Sequence, residues 1–334
     1  MTNKVTIKDV ARCAGVSMST VSQILNGKEQ RFSSDTRRRV LQARDELGYV
    51  PDFNARNLIM NSVKSIGVIV PDISNPFFST FIKSIEQLAM EQNYIPLILS
   101  SDGNQELERS YLEQLINRSI DGIIIASPSV GQEEIDTLLK KNRIPYLLID
   151  QNPVSDGDRV MTDDFHGAGL AVNHLARLGH RRIAMIMAAR PSDNLRRRLS
   201  GYIEALRENG IKFDKNLVIK TEMSKIGGLN AARKLVRTDA TAVLTVNDEV
   251  AVGLYRGLKS LGKRIPDDYS VVGYDNIDLD EYLTPPLTSI SQPIHELGAT
   301  AFRQLTARIS NPDLPNREVI LPVKLVRRGS TRKV

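Results

Sequence analysis

From Lys64 onward the chain alternates short β-branched runs with helical stretches, and this alternation limits its fold more than any other feature. Apolar runs occur at 66–70, 95–99, 122–126, 145–149, 183–187, 218–220, 242–246 and 271–274. Helical stretches such as 78–92, 105–117, 195–209 and 249–261 lie between them. Strands that are apolar at nearly every position have both faces covered, so repeated βα units predict an α/β body of parallel sheets between layers of helices. The 334 residues exceed one ordinary domain and suit two or three.

The first sixty residues read differently. Thr6 followed by Asp9 is a capping-box spacing that starts a helix at Ile7. Val10, Ala11 and Ala14 supply an apolar face, and Gly15 a left-handed stop. Ser17 caps a second helix running to about Leu25. Two short helices joined by a glycine turn are the helix-turn-helix pattern. At 100° per residue, Val21, Ile24 and Leu25 fall on one side and Ser19, Ser22, Gln23 and Asn26 on the other. Small hydroxyls and amides on an exposed helix face can pair with base edges and phosphates. Ser33 or Ser34 caps a third helix, to about Leu47, whose Arg37–Arg39 run can touch phosphates.

Charge supports a polyanion partner. Residues 1–64 carry eleven Lys and Arg against six Asp and Glu, a net of +5, so the other 270 residues share only +1 of the total +6. No run reaches eighteen apolar residues, and the N-terminus lacks the apolar core of a secretory signal, so a cytoplasmic protein without a membrane span is expected. The single cysteine, Cys13, excludes a disulfide framework and is expected to be a small core residue. His166, His174, His180 and His295 have no metal-ligand spacing. Neither a metal nor an organic cofactor is expected.

In parallel sheets of this kind, ligands bind off the carboxyl ends of strands. After the first run come Asp72, Asn75, Phe77 and Phe78. Later runs end in Ser127, Asp150, Asn247-Asp248 and Asp275, and Gln292 follows "LTSIS". Carboxylates and amides bind adjacent hydroxyls in pairs, and an aromatic ring stacks on the apolar face of a sugar. Each of these residues could equally be a helix cap. Their shared position after successive strands favours one cleft for a polyhydroxylated ligand.

The segment "VTIKDVARCAGVSMSTVSQILNG" resembles the DNA-binding head of the lactose-repressor family of transcription regulators, and the likeness continues through "TRRRVLQARDELGYVPDFNARNL". "PDISNPFF", "LARLGHRRIAMI", "TVNDEVAVGL", "VVGYDN" and "LTSISQP" resemble the body of these repressors and of periplasmic sugar-binding proteins. The likeness covers essentially the whole chain, and "NPFF" with the closing "TPPLTSISQP…LVRRGSTRK" is most like ribose-type repressors. It implies a helix-turn-helix domain at 1–50, a hinge helix at 51–62 and a two-lobed periplasmic-binding-protein-like body at 63–334. Lobe one would comprise about 63–161 plus 293–325, and lobe two about 162–292.

By the same resemblance Met18, Ser19 and Gln23 read bases, and Thr6, Ser22 and Asn26 contact the DNA backbone, with Ser17 beside them. Leu58 would wedge into a minor-groove base step. The effector positions would be Asn75, Phe77, Phe78, Ser127, Asp150, Arg198, Met223, Asn247, Asp275 and Gln292. Arg198 is chosen because it immediately precedes Leu199-Ser200-Gly201-Tyr202; Arg196 and Arg197 are expected to be surface charges. The chain departs from the family in several places. Gln23 stands where Arg is usual, which favours adenine over guanine, and the 27–32 loop is one residue longer. Asp150-Gln151 replaces the Asp-Arg of ribose-type members, and Met223 an aromatic.

No strand is followed by a dinucleotide or P-loop glycine pattern, Gly-x-Ser-x-Gly is absent, and no histidine accompanies a nucleophile, so an enzyme is not expected. His180 reads as a helix-end residue before a strand. The expected function is a homodimeric repressor of a carbohydrate-use operon, binding a pseudo-palindromic operator and gated by ribose or a related sugar. A catabolite-type regulator answering to a protein coregulator, or a transport-type sugar-binding protein, would share the body. The closing residues 327–334 lack the leucine heptads of a tetramer-forming tail.

Overall fold

The computed structural model describes residues 5–27, 29–50, 63–150 and 156–334. The chain divides into two units, Met1–Val63 and Lys64–Val334. The expected hinge helix and Leu58 lie outside the described residues.

The first unit contains α1 (Ile7–Ala14), α2 (Met18–Leu25) and α3 (Ser34–Glu46). Asp9 starts α1 by accepting from the Thr6 amide at 3.0 Å and the Thr6 hydroxyl at 2.7 Å. Gly15, at φ 63°, ends it. Ser17 Oγ then accepts from the Thr20 amide at 3.1 Å, and Ser33 Oγ from the Thr36 amide at 3.2 Å, so α2 and α3 each begin on a serine cap. Val10, Ala14, Val21, Ile24 and Val40 form the small core, each almost wholly buried. Cys13 is exposed instead of buried, because Val10, Ala11 and Ala14 occupy the core face of α1.

The second unit holds twelve strands in its described residues. They are β1 (Ser65–Val70), β2 (Ile95–Ser100), β3 (Gly122–Ile125), β4 (Tyr146–Ile149), β5 (Asp158–Thr162), β6 (Ile183–Ala188), β7 (Val218–Thr221), β8 (Ala242–Thr245), β9 (Ser270–Asp275), β10 (Thr288–Ser291), β11 (Glu318–Leu321) and β12 (Lys324–Val326). Helices α4 (Pro76–Glu91), α5 (Gln105–Asn117), α6 (Gln132–Glu134), α7 (Asp164–Arg177), α8 (Asp193–Glu208), α9 (Lys225–Leu235), α10 (Asp248–Ser260) and α11 (Ile294–Ser310) connect them.

The strands form two six-stranded sheets, ordered β2-β1-β3-β4-β5-β11 and β7-β6-β8-β9-β10-β12. Every pairing is parallel except β10 with β12. Both sheets therefore use the same doubly wound order, in which the chain reverses direction beside the first strand and opens a crevice there. In the first sheet Val68 pairs with Ile98 on one side and Ile124 on the other. That strand is buried at Ile66, Val68, Ile69 and Val70, as its unbroken apolar pattern requires.

The chain crosses between lobes three times. It passes from β5 into α7, from β10 into α11, which packs back on α4 and β3–β5, and from β11 into β12. Because β12 bonds to β10, the first lobe ends with β11 and not at 325. The closing residues stay with the second lobe: Ser330 Oγ accepts from the Thr288 amide at 2.8 Å and donates to Val271 O at 2.6 Å. The Val334 amide donates to Leu178 O at 3.0 Å. Buried His180 serves the same seam, meeting Thr241 Oγ1 at 2.8 Å, Ser270 Oγ at 2.9 Å and Arg332 O at 3.2 Å.

Helix α9 contains Gly227-Gly228, an unfavourable pair for a helix. A Cβ on Gly228 would stand 2.0 Å from Val250 O, so the glycine is what lets α9 lie against α10. Among the described residues no helix is long and apolar enough to cross a membrane.

Candidate functional site

In the first unit, α2 presents its polar side outward. Met18 is 46% exposed, Ser19 is exposed, and Ser22, Gln23 and Asn26 are half-buried. Gln23 Nε2 reaches Ser19 Oγ at 3.4 Å and Asn26 Nδ2 reaches Ser22 Oγ at 3.4 Å, two rungs of i,i+4 contact along one face. These bonds are long, so both amides can trade them for a stronger partner. Ser17 and Thr6 have their side chains engaged in helix starts. On α3, Arg38 and Arg39 share Asp35 at 2.8 Å and 3.4 Å, both pairs exposed.

In the second unit, the ends of five strands and the starts of three helices converge. Asn75, Phe77, Phe78, Asp150, Arg198, Met223, Asn247, Asp275 and Gln292 line one pocket, together with Ile149, Ser192, Asn194 and Leu195. Ser127 is not among them. It is fully buried and donates to Glu108 Oε1, which also accepts from Ser101 Oγ at 2.6 Å. The inner pocket encloses about 40 Å³ and adjoins an outer cleft of about 820 Å³ that shares Asn75, Phe78, Ser192, Leu195 and Met223. A water molecule takes ~30 Å³ of liquid volume, so a sugar enters the inner pocket only if the walls part around it.

Two aromatic rings form one wall: Phe77 and Phe78 meet edge-to-face with centroids 5.1 Å apart. Asn75 and Asn247 each cap a helix, accepting from the Phe77 amide at 2.9 Å and the Val250 amide at 3.0 Å. The capping role and the lining role therefore coincide, since each cap leaves the amide nitrogen over. Asp150, Asp275 and Asn276 take positive φ of 21°, 120° and 59°. Strained backbone of this kind in residues other than glycine persists where the surroundings over-determine it, commonly at binding sites.

The floor is a charge network. Arg198 is 4% exposed; its Nε donates to Asp164 Oδ1 at 2.6 Å and Nη1 to Val246 O at 2.6 Å, while the guanidinium stacks 3.6 Å over the Tyr274 ring. Arg197 is not a surface charge. Nη2 donates to Asp150 Oδ1 at 2.8 Å and lies 3.4 Å from Asp164 Oδ2, and Nη1 holds Asp193 at 2.8 Å. Arg196 does point outward, against Asp193 at 3.1 Å. Thr162 Oγ1 stands 2.8 Å from both Asp150 Oδ2 and Gln292 Oε1, and Gln292 Nε2 is 2.6 Å from Asp275 Oδ1.

Burial pushes the Asp150 carboxyl up to about 8, helped by the charge of Asp164 and opposed by Arg197. Burial also holds Asp275 well above the usual carboxylate range, opposed by Arg198. Behind the pocket Asp248 is raised by burial and by Asp280, itself pushed by burial up to about 7. Asp248 accepts from the amides of Asn276 and Ile277 and from Ser289 Oγ, which fixes the turn after Asp275.

Sequence reasoning missed Arg197, Thr162 and Asp164. The last two flank the end of β5, whose sequence Asp-Arg-Val-Met-Thr is too charged to read as a buried strand. Its Asp158 is nevertheless 3% exposed, neutralised by Arg308 at 2.8 Å. Among the described residues no cluster of His, Cys, Asp and Glu could hold a metal ion.

Residues 6–52 match the family model "Bacterial regulatory proteins, lacI family", and residues 172–331 match a "Periplasmic binding protein-like domain". The HTH-type transcriptional repressor PurR of Photobacterium profundum is 34% identical over 330 residues, 98% of each chain. A LacI family transcriptional regulator from Enterococcus faecium, solved with bound ribose, is 42% identical with a TM-score of 0.76, covering 81% of this chain and 99% of its own. The Lac repressor dimer bound to operator and an anti-inducer is 28% identical with a TM-score of 0.89, covering 99% and 100%. A helix-turn-helix head, two lobes of matching strand order and full-length relatives place the chain in the lacI family of bacterial transcription regulators, which bind DNA and are not enzymes.

Proposed function

We propose that the chain is a homodimeric repressor of a carbohydrate-use operon, acting in the cytoplasm on a pseudo-palindromic operator and gated by ribose or a close relative. The carrying observation is the convergence of two phenylalanines, three asparagines, two aspartates and an arginine from both lobes on one pocket. That combination stacks on a sugar ring and pairs its hydroxyls. The 42% identical Enterococcus regulator holding ribose supports the choice. So does Arg197, which brings a guanidinium to Asp150 although the residue after Asp150 is Gln151.

In the head, Met18, Ser19 and Gln23 read base edges, and Thr6, Ser17, Ser22 and Asn26 set the register on the backbone. Leu58 wedges the minor groove. Effector occupancy changes the angle between lobes and with it the spacing of the paired hinge segments, a coupling of about 1–3 kcal/mol, or roughly 5- to 150-fold in operator affinity. Fluorescence anisotropy of labelled promoter DNA at fixed salt, with ribose, ribose phosphate and other sugars, tests this. A shift of about tenfold with ribose supports the reading; no shift with ribose, alongside a shift with another sugar, replaces the effector.

A further inference from the structure

The hydrogen bonds across the base of the cleft do not balance unless a proton is added. Thr162 has one hydroxyl hydrogen and lies 2.8 Å from two acceptor oxygens, Asp150 Oδ2 and Gln292 Oε1. If Thr162 donates to Gln292, the short contact to Asp150 requires Asp150 to donate, hence to be protonated. The Gln292 amide can be turned over. Its nitrogen then donates to Thr162, which donates to Asp150, but Gln292 Oε1 now faces Asp275 Oδ1 at the 2.6 Å contact. That contact holds only if Asp275 is protonated. In either arrangement the chain Asp150–Thr162–Gln292–Asp275 closes with one carboxyl proton. Water does not relieve the conflict, since the three contacts of 2.6–2.8 Å are direct and leave no room for a molecule between the atoms.

We propose that the closed cleft holds one proton in this chain, with Thr162 as the positioning residue that ties the ligand-facing Asp150 of lobe one to Gln292 and Asp275 at the lobe-two strand ends. The charges around it favour retention. Facing Asp150 are Arg197 and Arg198 of α8 and Asp164 of α7; Arg197 is committed to Oδ1 and leaves Oδ2 to Thr162. Facing Asp275 are Arg198, Asp164 and Asp248 of α10, with Tyr274 beside it on β9. Two guanidiniums thus stand among four carboxyls. Burial raises both Asp150 and Asp275 above the ordinary range, in agreement with the geometry.

The proposal rests on this cleft being the effector site for its meaning, which is that any effector competing for Asp150 or Asp275 binds in a proton-linked way. Its test needs no effector, so it can fail or succeed independently of the ribose reading. The full-length wild type, Asp150→Asn and Asp275→Asn are unfolded in urea at a series of pH values from 5 to 7. A proton held in the folded state and released on unfolding makes the unfolding constant rise up to tenfold per pH unit. An Asn at either position donates in place of the carboxyl hydroxyl. Each variant is therefore expected to show a pH slope smaller than wild type by about one proton. Unchanged slopes in both variants overturn the proposal. If the variants do not fold, carbon-13 NMR of aspartate-labelled wild type decides. At pH 6 at least one of the Asp150 and Asp275 carboxyls resonates as the acid, and ionised shifts for both overturn the proposal.

Discussion

Lobe one and lobe two are built on the same strand order but put different chemistry at their strand ends. The first, with β2-β1-β3-β4-β5, contributes to the inner pocket the Phe77–Phe78 wall, Asn75 and one acid, Asp150, while Asp72 and Asp102 line the outer cleft. Its other buried acid near this end, Glu108, is turned to Ser101 and Ser127. The second, with β7-β6-β8-β9-β10, contributes Arg198, Asn247, Asp275 and Gln292 and keeps Asp164, Asp248 and Asp280 beneath them. One lobe offers mainly an apolar face and the other mainly buried charge. Topology places the crevice, and the side chains at the strand ends decide what each wall does.

The difference is sharpest where charge is removed. Arg198→Met leaves Asp164, fully buried, without its 2.6 Å partner. Loss of about 3–5 kcal/mol is expected, as for a broken buried ion pair, read as a fall in the urea midpoint. A loss below about 1 kcal/mol would show that lobe two is not organised around this pair.

Next in size is pH. The raised carboxyls Asp150, Asp275, Asp248 and Asp280 bind protons more tightly folded than unfolded. Their contribution is fully present below about pH 4 and is lost as pH rises through the folded values, about 7 for Asp280 and about 8 for Asp150. One proton amounts to about 1.4 kcal/mol per pH unit, or about 3 kcal/mol between pH 5 and 7. Three of the four carboxyls belong to lobe two. Hydrogen exchange at pH 5 and 7 is expected to lose more protection in β8–β10 than in β1–β3; equal losses would contradict the assignment.

Smaller effects separate neighbours. Phe78→Leu removes one ring from the lobe-one wall and is expected to weaken ribose binding about fivefold by calorimetry, near 1 kcal/mol, with the fold retained. Arg197→Gln and Arg196→Gln make the finest contrast. Arg197 spans Asp150 and Asp193 at 2.8 Å each, whereas Arg196 is paired only at the surface. The first is expected to cost about 1–3 kcal/mol of stability and the second under about 0.5 kcal/mol; equal costs would return Arg197 to the surface.

Much of this architecture was legible because local chemistry announces it. Thr6 with Asp9, Gly15 and Ser17 marked the head helices, and short, mostly apolar runs marked eight of the twelve described strands. Nine of the ten expected effector residues line one pocket because strand ends in a doubly wound sheet share one edge. What escaped depended on distant partners. Strand β5 is charged and acceptable only because Arg308 neutralises Asp158. Helix α9 carries two glycines that make sense only against α10. Ser127 follows a strand as expected, but Glu108, nineteen residues earlier, turns it away from the cleft. Arg197 reads, with Arg196, as a surface charge, because its partner Asp150 lies 47 residues away in sequence.

The proposed site has both lobes gripping one sugar-like effector. Calorimetric titration of D-ribose into the full-length protein tests it directly, using wild type, Asp150→Ala in lobe one and Asn247→Ala in lobe two. Loss of a buried hydrogen-bond partner on either side is expected to weaken binding about tenfold or more, near 1.4 kcal/mol. Weakening by only one of the two substitutions would mean that a single lobe holds the ligand and would contradict the two-walled site.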